Sequence, residues 1–391
     1  MDPIRNPFAP GAGSQPPELA GRDELIERAG VALDRMAMGR PARSFIFYGL
    51  RGTGKTVLLG KIRADAEARR LLPVRIEAPE DRSLPALLAG PLRSALLRLD
   101  RMEAAKSGAR KALAALAGFV KLKVKYADIE VGVDFEPLKG LADSGDLALD
   151  LSELLLAIGE AARERGTAVI LFIDELQYVR ETELAALMAA LHAVSQANLP
   201  LGLFGAGLPP LIGQLGRAKS YTERLFEYVE VEALDDGAAW NAIVIPIERE
   251  GEAIEPDAVT AIIRATRGYP YFLQEWGKHA WDLAFASPVT LQDVENAGVV
   301  ARAELDRSFF RVRFDRLTPS EKRYMRAMAE LGPGPHRSAD IAERMGRKVP
   351  QLAPIRSSLI AKGMLYSPAH GDTGFTVPMF DEFMRRTMPS F

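Results

Sequence analysis

The sequence predicts an α/β fold in which helices cover both faces of a parallel sheet, followed by a helical region and a small C-terminal domain. Three observations predict it. Apolar strand-like runs alternate with amphipathic helical stretches over residues 18–233. The central runs are apolar on both faces, as in buried parallel strands. After residue 234 the pattern is helical, and the chain ends in three helices, a hairpin and a final helix.

The elements of the α/β region follow one another in a regular order. The predicted strands are SFIFYG, LPVRIEA, TAVILFIDE, LPLGLFGAG and FEYVEVEAL. The predicted helices before and between them are ELIERAGVALDRMA, KTVLLGKIRADAEARRL, LPALLAGPLRSALLRLDRMEAA and ETELAALMAALHAVSQA. Strands that alternate with helices in this way form parallel sheets with crossover helices.

One segment departs from this rhythm. Residues 120–135, VKLKVKYADIEVGVDF, alternate apolar and polar residues and predict a β-hairpin inserted at about 119–136. A turn at Ala127 and Asp128 would place apolar residues on one face and pair lysines with acidic residues on the other. The apolar face is explained either by packing on the domain or by contact with a partner.

Length and composition set limits on the class of protein. The 391 residues exceed one ordinary domain of roughly 150 residues. The absence of cysteine excludes disulfides, thiolate metal sites and a cysteine nucleophile. The first residues lack the apolar stretch of a signal peptide, and no window has the roughly 18 apolar residues of a membrane helix. These features predict a cytoplasmic protein without membrane contact.

A glycine-rich loop follows the first strand. The sequence GLRGTGKT matches G-x-x-x-x-G-K-[ST] with Gly49, Gly54, Lys55 and Thr56, and it lies between an apolar strand and an amphipathic helix, as this motif requires. Glycines at 49, 52 and 54 would let backbone N–H groups turn inward toward a phosphate. Lys55 would reach the β- and γ-phosphates and the Thr56 hydroxyl would bind Mg²⁺.

A second segment completes this chemistry. The run AVILFIDELQYV predicts a buried strand that delivers Asp174 to the carboxyl edge of the sheet, where ligands bind in open α/β folds. Asp174 would hold Mg²⁺ through water, and Glu175 would polarise the water that attacks the γ-phosphate. Together the two segments predict a nucleotide-hydrolysing site.

These motifs, Walker A and Walker B, resemble those of P-loop ATPases of the AAA+/STAND group, of the archaeal and origin-recognition type. The resemblance implies an AAA+ (ASCE-type) parallel sheet, a helical lid, a C-terminal winged helix, and ATP with Mg²⁺ as ligands. The leading segment PPELAGRDELIERA implies a base-side role for Leu19, Gly21 and Arg22, and RGYPYFLQ implies that Pro270 lies near the nucleotide. The full nucleotide-binding loop comprises Gly49, Arg51, Gly52, Thr53, Gly54, Lys55, Thr56 and Val57.

The resemblance also implies a third catalytic residue. Arg224 in YTERLF occupies the place of an arginine finger, which acts beside Lys55 and Glu175 and commonly reaches into a neighbouring subunit. Two departures concern the γ-phosphate sensors. The fourth strand ends in LGLFGAGLPP with no Asn, Ser or Thr, and Tyr271 stands where many lids have arginine, with Arg267 just before it. Hydrolysis is therefore expected to be slow or dependent on a partner.

The predicted domain organisation has four parts: an extended arm at 1–17, the ATPase domain at 18–233, a helical lid at 234–310 and a winged helix domain at 311–391. The last part has 14 lysines and arginines against 8 acidic residues, whereas the whole chain carries −2. Its third helix, VPQLAPIRSSLIAKG, would enter the major groove of DNA, although Pro354 is expected to shape or shorten it. The candidate DNA contacts are Arg347, Lys348, Gln351, Arg356, Ser357 and Lys362.

Three functions remain open at this point. The first is a DNA-associated ATPase switch with ATP, ADP and DNA as partners and a possible homo-oligomer. The second is a signalling or scaffolding switch in which the winged helix binds protein and turnover is low. The third, a small-molecule kinase, is disfavoured because the Asp-Glu strand end and long helical lid suit hydrolysis. The four histidines lie far apart and lack the i,i+4 or acid-paired spacing of a metal site, so a structural or exposed role is expected for each.

Overall fold

A computed structural model of the protein describes residues 1–11, 13–101, 106–123, 137–218 and 222–389. The chain divides into two compact units. We call Asp23–Tyr48 and Leu58–Glu230 the sheet unit. We call the other the helical unit, and it comprises Met1–Arg22, Gly49–Val57 and Val231–Phe391. The glycine-rich loop thus belongs by its contacts to the helical unit, although it follows a strand of the sheet unit in the chain.

Five strands form the sheet, in the order β2-β3-β4-β1-β5. The strands are β1 Ser44–Tyr48, β2 Leu72–Glu77, β3 Val169–Asp174, β4 Leu201–Gly207 and β5 Phe226–Glu230. All neighbouring pairs are parallel, which confirms the predicted parallel sheet. Because parallel strands end at the same edge, β1 and β3 both present their carboxyl ends there, with β4 between them.

The core of the sheet explains its apolar runs. Every residue of β4 is buried, and so is every residue of β3 before its final aspartate. The ring of Phe204 stacks on Phe45 with centroids 5.2 Å apart and on Phe172 with centroids 5.5 Å apart. Aromatic stacking across three adjacent strands gives the sheet a close-packed centre. The polar residues at the strand ends are therefore held on a rigid support.

Eight helices accompany the strands among the described residues. They are α1 Asp23–Ala37, α2 Lys55–Ala68, α3 Leu84–Arg101, α4 Lys106–Lys123, α5 Leu147–Glu164, α6 Glu181–Gln196, α7 Pro210–Ala218 and α8 Thr222–Leu225. The predicted helices α1, α2, α3 and α6 are confirmed, whereas α4, α5, α7 and α8 are additional. The signal for α5 is present in the sequence, because Asp146 caps its first turn and Leu151, Leu155 and Ile158 are buried at helical spacing.

The predicted β-hairpin at 119–136 is wrong in its first part. Helix α4 continues to Lys123, so residues 119–123 are helical. The preceding alanine- and leucine-rich turns are buried, and a helix once formed propagates at little cost through residues that also suit a strand. Residues 124–136 lie outside the described part of the chain, and so does the predicted turn at Ala127 and Asp128.

The helical unit continues from β5 with five helices. They are α9 Asp236–Arg249, α10 Pro256–Thr266, α11 Pro270–Leu283, α12 Leu291–Leu305 and α13 Arg311–Asp315. A π-helical turn, Asp306–Phe310, joins α12 to α13. Trp276 and Trp281 on α11 are each 1 % exposed and belong to the core of this unit.

The C-terminal part mixes short helices and strands. They are α14 Pro319–Glu330, β6 His336–Arg337, α15 Ser338–Arg344, α16 Val349–Ala361, β7 Leu365–Tyr366, β8 Asp372–Phe375 and α17 Phe380–Thr387. The strands pair antiparallel in the order β6-β8-β7. Helix α16 runs through Pro354, so the expectation that this proline shortens it is wrong. The helix loses the backbone hydrogen bond that residue 354 would donate, yet it continues to Ala361.

The helices after residue 231 and the C-terminal part share one hydrophobic core. The ring of Phe310 stacks on Phe383 of α17 with centroids 5.2 Å apart. The N-terminal arm also joins this core: Phe8 is 3 % exposed, and the Trp281 indole N–H donates to the carbonyl oxygen of Asp2 across 2.8 Å. The predicted boundaries at residues 17, 233 and 310 stay predictions.

Candidate functional site

The glycine-rich loop links β1 to α2, and its glycines serve two different purposes. Gly52 and Gly54 have φ of 81° and 90°, in the left-handed region that a side chain disfavours. Gly49 does not have a positive φ. A Cβ there would lie 2.2 Å from the carbonyl oxygen of Val231, so Gly49 permits a close approach of two backbones. The loop is tightly curled, as the sequence predicts, but only two of the three glycines are needed for their φ.

The polar residues of the loop bond within it. The Lys55 ammonium donates to the carbonyl oxygens of Gly49 and Leu50 across 2.9 and 2.6 Å. The hydroxyl of Thr53, which is 1 % exposed, donates to Leu50 across 3.0 Å. Thr56 is exposed in the first turn of α2, and Val57 behind it is half-buried. The lysine therefore arches back over the beginning of the loop.

The leading segment contacts the loop through Arg22. Its guanidinium donates to the carbonyl oxygens of Glu232 and Thr53 across 2.5 and 3.4 Å. Burial lowers the pKa of Arg22, against the opposing influence of Asp235 and Glu232. Gly21, at φ 66°, is needed because a Cβ would lie 2.6 Å from that of Ala238. Arg22 therefore holds the loop, while Leu19 is half-buried close by in the sequence.

The first turn of α11 contacts the loop as well. Pro270 is its first residue and is half-buried, and the N–H of Tyr271 donates to the carbonyl oxygen of Gly52 across 3.2 Å. The Tyr271 hydroxyl donates to Glu275 Oε1 across 3.1 Å. Burial and the neighbouring Glu275 carboxylate raise the pKa of Tyr271 to about 12. The tyrosine at this position thus joins α11 to the loop through its backbone.

Arg267 has a different environment. It ends α10 with φ 53°, and its guanidinium donates to Glu382 Oε1 of α17 across 2.5 Å. The side chain is exposed and takes part in a surface ion pair.

A third contact reaches the loop from the C-terminal part. The N–H of Arg51 donates to the carbonyl oxygen of Thr376 across 2.9 Å. Thr376 follows β8 and is buried, and its hydroxyl donates to the carbonyl oxygen of Gly363 across 2.6 Å. The sequence contains no signal for this contact, because the two residues are far apart in the chain and the bond uses only backbone atoms.

In the sheet unit, β3 delivers two carboxylates to the carboxyl edge. Asp174 is its last residue and is half-buried. The N–H of Glu175 donates to Asp174 Oδ1 across 2.8 Å, and Glu175 has φ 55° and ψ 36°, a left-handed conformation uncommon for residues other than glycine. The Gln177 side-chain amide donates to Glu175 Oε2. Gln177 was not predicted as a site residue.

Arg224 is exposed in α8, immediately before β5. The residues predicted to contact DNA fall into two groups. Arg347, Lys348, Gln351 and Ser357 are exposed. Arg356 and Lys362 are instead bonded within the protein: Arg356 donates to the Thr373 hydroxyl and the Asp372 carbonyl across 2.7 and 2.8 Å, and Lys362 donates to Glu321.

Two negative findings concern metals and membranes. Across the described ranges, no group of three or more His, Asp, Glu or Cys residues is arranged to hold a metal ion by itself. In the same part of the chain, no helix is long and apolar enough to cross a membrane. Magnesium bound together with phosphates needs only one or two protein oxygens, so it does not require such a group.

Comparison with protein families gives two matches. Residues 18–204 match the family described as AAA ATPase domain, a range that contains the glycine-rich loop and β3. Residues 307–384 match a domain of unknown function, DUF8462, a range that runs from the π-helical turn before α13 into α17. No curated protein matches the chain in sequence.

Solved structures resemble the protein over nearly its whole length. A Walker-type ATPase of Pyrococcus abyssi is 16% identical with a TM-score of 0.59, covering 95% of this chain and 97% of its own. Orc1 of Aeropyrum pernix in complex with DNA is 16% identical, with a TM-score of 0.49 and coverage of 98% and 96%. RuvB of Thermotoga maritima is 16% identical, with a TM-score of 0.45 and coverage of 90% and 91%. The first likeness shows that the chain has the same fold as that Walker-type ATPase, and the family match shows that residues 18–204 resemble the AAA ATPase domain.

Proposed function

We propose that the protein is an ATP-binding and ATP-hydrolysing molecular switch of the AAA+/STAND type, whose nucleotide state controls DNA binding by a C-terminal winged helix. The observation that carries the nucleotide chemistry is the glycine-rich loop. It follows a buried parallel strand, precedes a helix, and uses positive φ at Gly52 and Gly54 to curl its backbone. The match of residues 18–204 to the AAA ATPase domain supports the same conclusion.

The loop supplies the phosphate contacts. Backbone N–H groups from Gly52 to Val57 and the Lys55 ammonium bind the β- and γ-phosphates, with Arg51 and Thr53 shaping the loop. Leu19, which is half-buried, is assigned to the adenine, and Pro270, also half-buried, is assigned a place near the nucleotide. Arg22 and Gly21 are assigned an indirect role behind the loop. The Arg22 guanidinium bonds to the Thr53 carbonyl oxygen of the loop.

Hydrolysis uses the carboxyl end of β3. Thr56 and Asp174 provide hard oxygen ligands of the kind that Mg²⁺ prefers, and the bound ion would neutralise charge on the phosphates. Glu175 accepts a proton from water as the water oxygen bonds to the γ-phosphorus. The bond from that phosphorus to the β,γ-bridging oxygen breaks, and ADP and phosphate leave.

Arg224 is assigned the role of an arginine finger. It is exposed, as a residue acting on a neighbouring copy must be, so this role requires a homo-oligomer.

The C-terminal part supports the DNA assignment by the order of its elements. Helix, strand, two helices and two strands, from α14 to β8, follow the order of a winged helix, with α16 as its third helix. Residues 311–391 carry a net charge of +6. Arg347 and Lys348 are assigned to phosphates and Gln351 and Ser357 to the groove. Arg356 and Lys362 are assigned to the structure of the domain, because both are bonded within it.

One observation favours the second candidate, a switch whose winged helix binds protein. The exposed side chains of α16 are mostly apolar or lack hydrogen-bonding groups: Val349, Pro350, Ala353, Pro354 and Ala361. Helices that discriminate bases present Arg, Lys, Asn or Gln to the base edges. If α16 meets DNA, most of the binding energy therefore comes from the phosphate backbone and sequence discrimination is weak.

The test measures phosphate release and duplex-DNA binding with and without ATP. DNA binding is expected to weaken steeply as salt rises, since binding through phosphates releases counterions. If the protein releases phosphate but shows no salt-sensitive DNA binding in either nucleotide state, the protein-binding switch replaces the DNA-binding one. If neither ATP binding nor phosphate release is found, the proposed function is wrong as a whole.

A further inference from the structure

The side-chain amide of Gln177 lies between the carboxylate of Glu175 and the end of β4. Its Nε2 group donates to Glu175 Oε2. Its Oε1 atom accepts the backbone N–H of Leu208 across 3.0 Å. Gln177 is only 9 % exposed, and Leu208 is buried. The amide therefore joins the residue after β3 to the residue after β4 at the carboxyl edge of the sheet.

The hydrogen bonds determine which way the amide faces. A glutamine carbonyl oxygen only accepts and its NH₂ group only donates, so an oxygen facing the Leu208 N–H leaves the NH₂ group facing Glu175. An NH₂ group needs an acceptor there. The arrangement therefore turns an N–H of Gln177 toward the Glu175 carboxylate, the group that takes a proton from water in the proposed function.

Gly207 makes room for this amide. A Cβ at residue 207 would lie 2.7 Å from Gln177 Oε1 and 2.7 Å from a side-chain carbon of Leu211. The φ of Gly207 is not positive, so the position requires glycine for space rather than for backbone conformation. The end of β4 has no polar side chain of its own, and its polar contact comes from Gln177 in the turn that follows β3.

We propose that Gln177 is a positioning residue that holds the Glu175 carboxylate for proton abstraction during ATP hydrolysis. This inference rests on the proposed function. The backbone at Glu175 is in a left-handed conformation that ordinary residues disfavour, so its geometry has to be held by its surroundings. The Gln177 amide holds the Glu175 carboxylate through one hydrogen bond and is itself anchored to the end of β4 through another. A shift of β4 relative to β3 would then move the proton acceptor.

The test compares single-residue variants in steady-state phosphate release. Gln177→Leu keeps the size of the side chain and removes both hydrogen bonds, and kcat is expected to fall at least tenfold while KM for ATP changes less than twofold. Gln177→Asn is too short to reach both partners and is expected to behave alike.

Two further variants separate positioning from general disruption. Gln214→Leu is the matched control, because the Gln214 amide bonds only to the backbone oxygen of Gln177, across 3.3 Å, among the contacts described. It is expected to leave kcat within twofold. Gly207→Ala pushes on the amide without removing it, and kcat is expected to fall. If Gln177→Leu and Gly207→Ala both act through Glu175, their effects on kcat should not add. The double variant should then be no slower than the slower of the two single variants.

The outcomes distinguish failure of the positioning role of Gln177 from failure of the ATPase assignment. If Glu175→Gln blocks turnover but Gln177→Leu stays within twofold of the parent, the positioning role is wrong and the ATPase assignment stands. A rise in KM with unchanged kcat also rejects it, because positioning acts after binding. If the parent protein with DNA releases no more phosphate than Glu175→Gln, the ATPase assignment itself fails. Binding of a fluorescent ATP analogue to each variant checks that it is folded.

Discussion

The Lys362 ammonium donates to the Glu321 carboxylate across 2.7 Å and so connects α16 to α14. The Glu321 side chain is 4 % exposed. It also accepts the N–H of Thr318 and the Ser358 hydroxyl, each across 2.7 Å. One buried carboxylate thus accepts hydrogen bonds both from the N-terminal cap of α14 and from the C-terminal end of α16. Lys362 is therefore part of the structure of the domain.

This network predicts a pH-dependent stability. Burial alone would raise the pKa of Glu321, but hydrogen bonds from Lys362, Thr318 and Ser358 outweigh it and lower that pKa to about 2. The ionised carboxylate therefore stabilises the fold fully above its ordinary pKa of 4.5, and this contribution is lost as pH falls toward 2. Lys362→Met is expected to lower the free energy of unfolding by roughly 2 kcal/mol at pH 7.

The measurement is urea denaturation followed by circular dichroism between pH 7 and pH 3. The difference between Lys362→Met and the parent should shrink as pH falls below 4.5, because Glu321 then becomes protonated in the variant. Arg323→Met, at an exposed position of α14, serves as the control and is expected to change stability by less than about 0.5 kcal/mol. A constant difference across the pH range would show that the ion pair is not its source.

Lys55 is predicted to be essential for ATP binding. Its ammonium is held over the loop by two carbonyl oxygens, and Lys55→Ala removes the charge that would meet the phosphates. A charge-assisted hydrogen bond contributes about 1.5–3 kcal/mol, so affinity is expected to fall roughly 10- to 100-fold or more. Isothermal titration calorimetry with ATP measures it. Lys61→Ala removes a charge from the same helix, where Lys61 pairs with Asp65, and should bind ATP normally.

Glu175 is predicted to act in the chemical step and not in binding. Glu175→Gln keeps the size of the side chain and can still bond to the Gln177 amide, but it cannot accept the proton from water. Phosphate release is expected to fall roughly 10²- to 10⁴-fold, the usual contribution of a general base. The affinity for ATP should stay within about threefold. Turnover equal to that of the parent would remove Glu175 from the mechanism.

Arg224 is predicted to act between copies of the protein. Because it is exposed in α8, Arg224→Ala should keep ATP binding and lose phosphate release. Mixing Arg224→Ala with Glu175→Gln should restore part of the activity, since some interfaces then combine an intact arginine with an intact glutamate. Phosphate release over a range of mixing ratios measures this. No recovery at any ratio, with assembly confirmed by light scattering, would place the action of Arg224 within one chain.

The candidate DNA contacts are predicted to differ in kind. Arg347→Ala and Lys348→Ala should weaken duplex binding on all sequences alike, and each should reduce the slope of log affinity against log salt by about 1. Arg356→Ala should instead destabilise the domain, because Arg356 ties α16 to Thr373, Ser367 and the backbone of Asp372. Fluorescence anisotropy at several salt concentrations and thermal unfolding of each variant distinguish the two effects.

The sequence predicted best what depends on neighbours in the chain. The parallel sheet, the curled loop and the position of Asp174 after a buried strand follow from local patterns, and all are present. The sequence-based prediction failed where contacts with residues distant in the chain determine the local structure. Gly49 is required by the backbone of Val231, and the alternating residues after Phe119 continue a helix because that helix is already packed. The role of Gln177 depends on Leu208, which no pattern around Gln177 could indicate.

The bond from the Arg51 N–H to the Thr376 carbonyl bears on how this protein could be divided. A fragment ending after β5 would carry both ATPase motifs, yet its loop would lose Thr376, the Tyr271 contact to Gly52 and the Glu232 carbonyl that anchors Arg22. Such a fragment would bind nucleotide with a loop that is less well ordered than in the whole chain. The smallest piece that preserves the native loop therefore extends to at least Thr376.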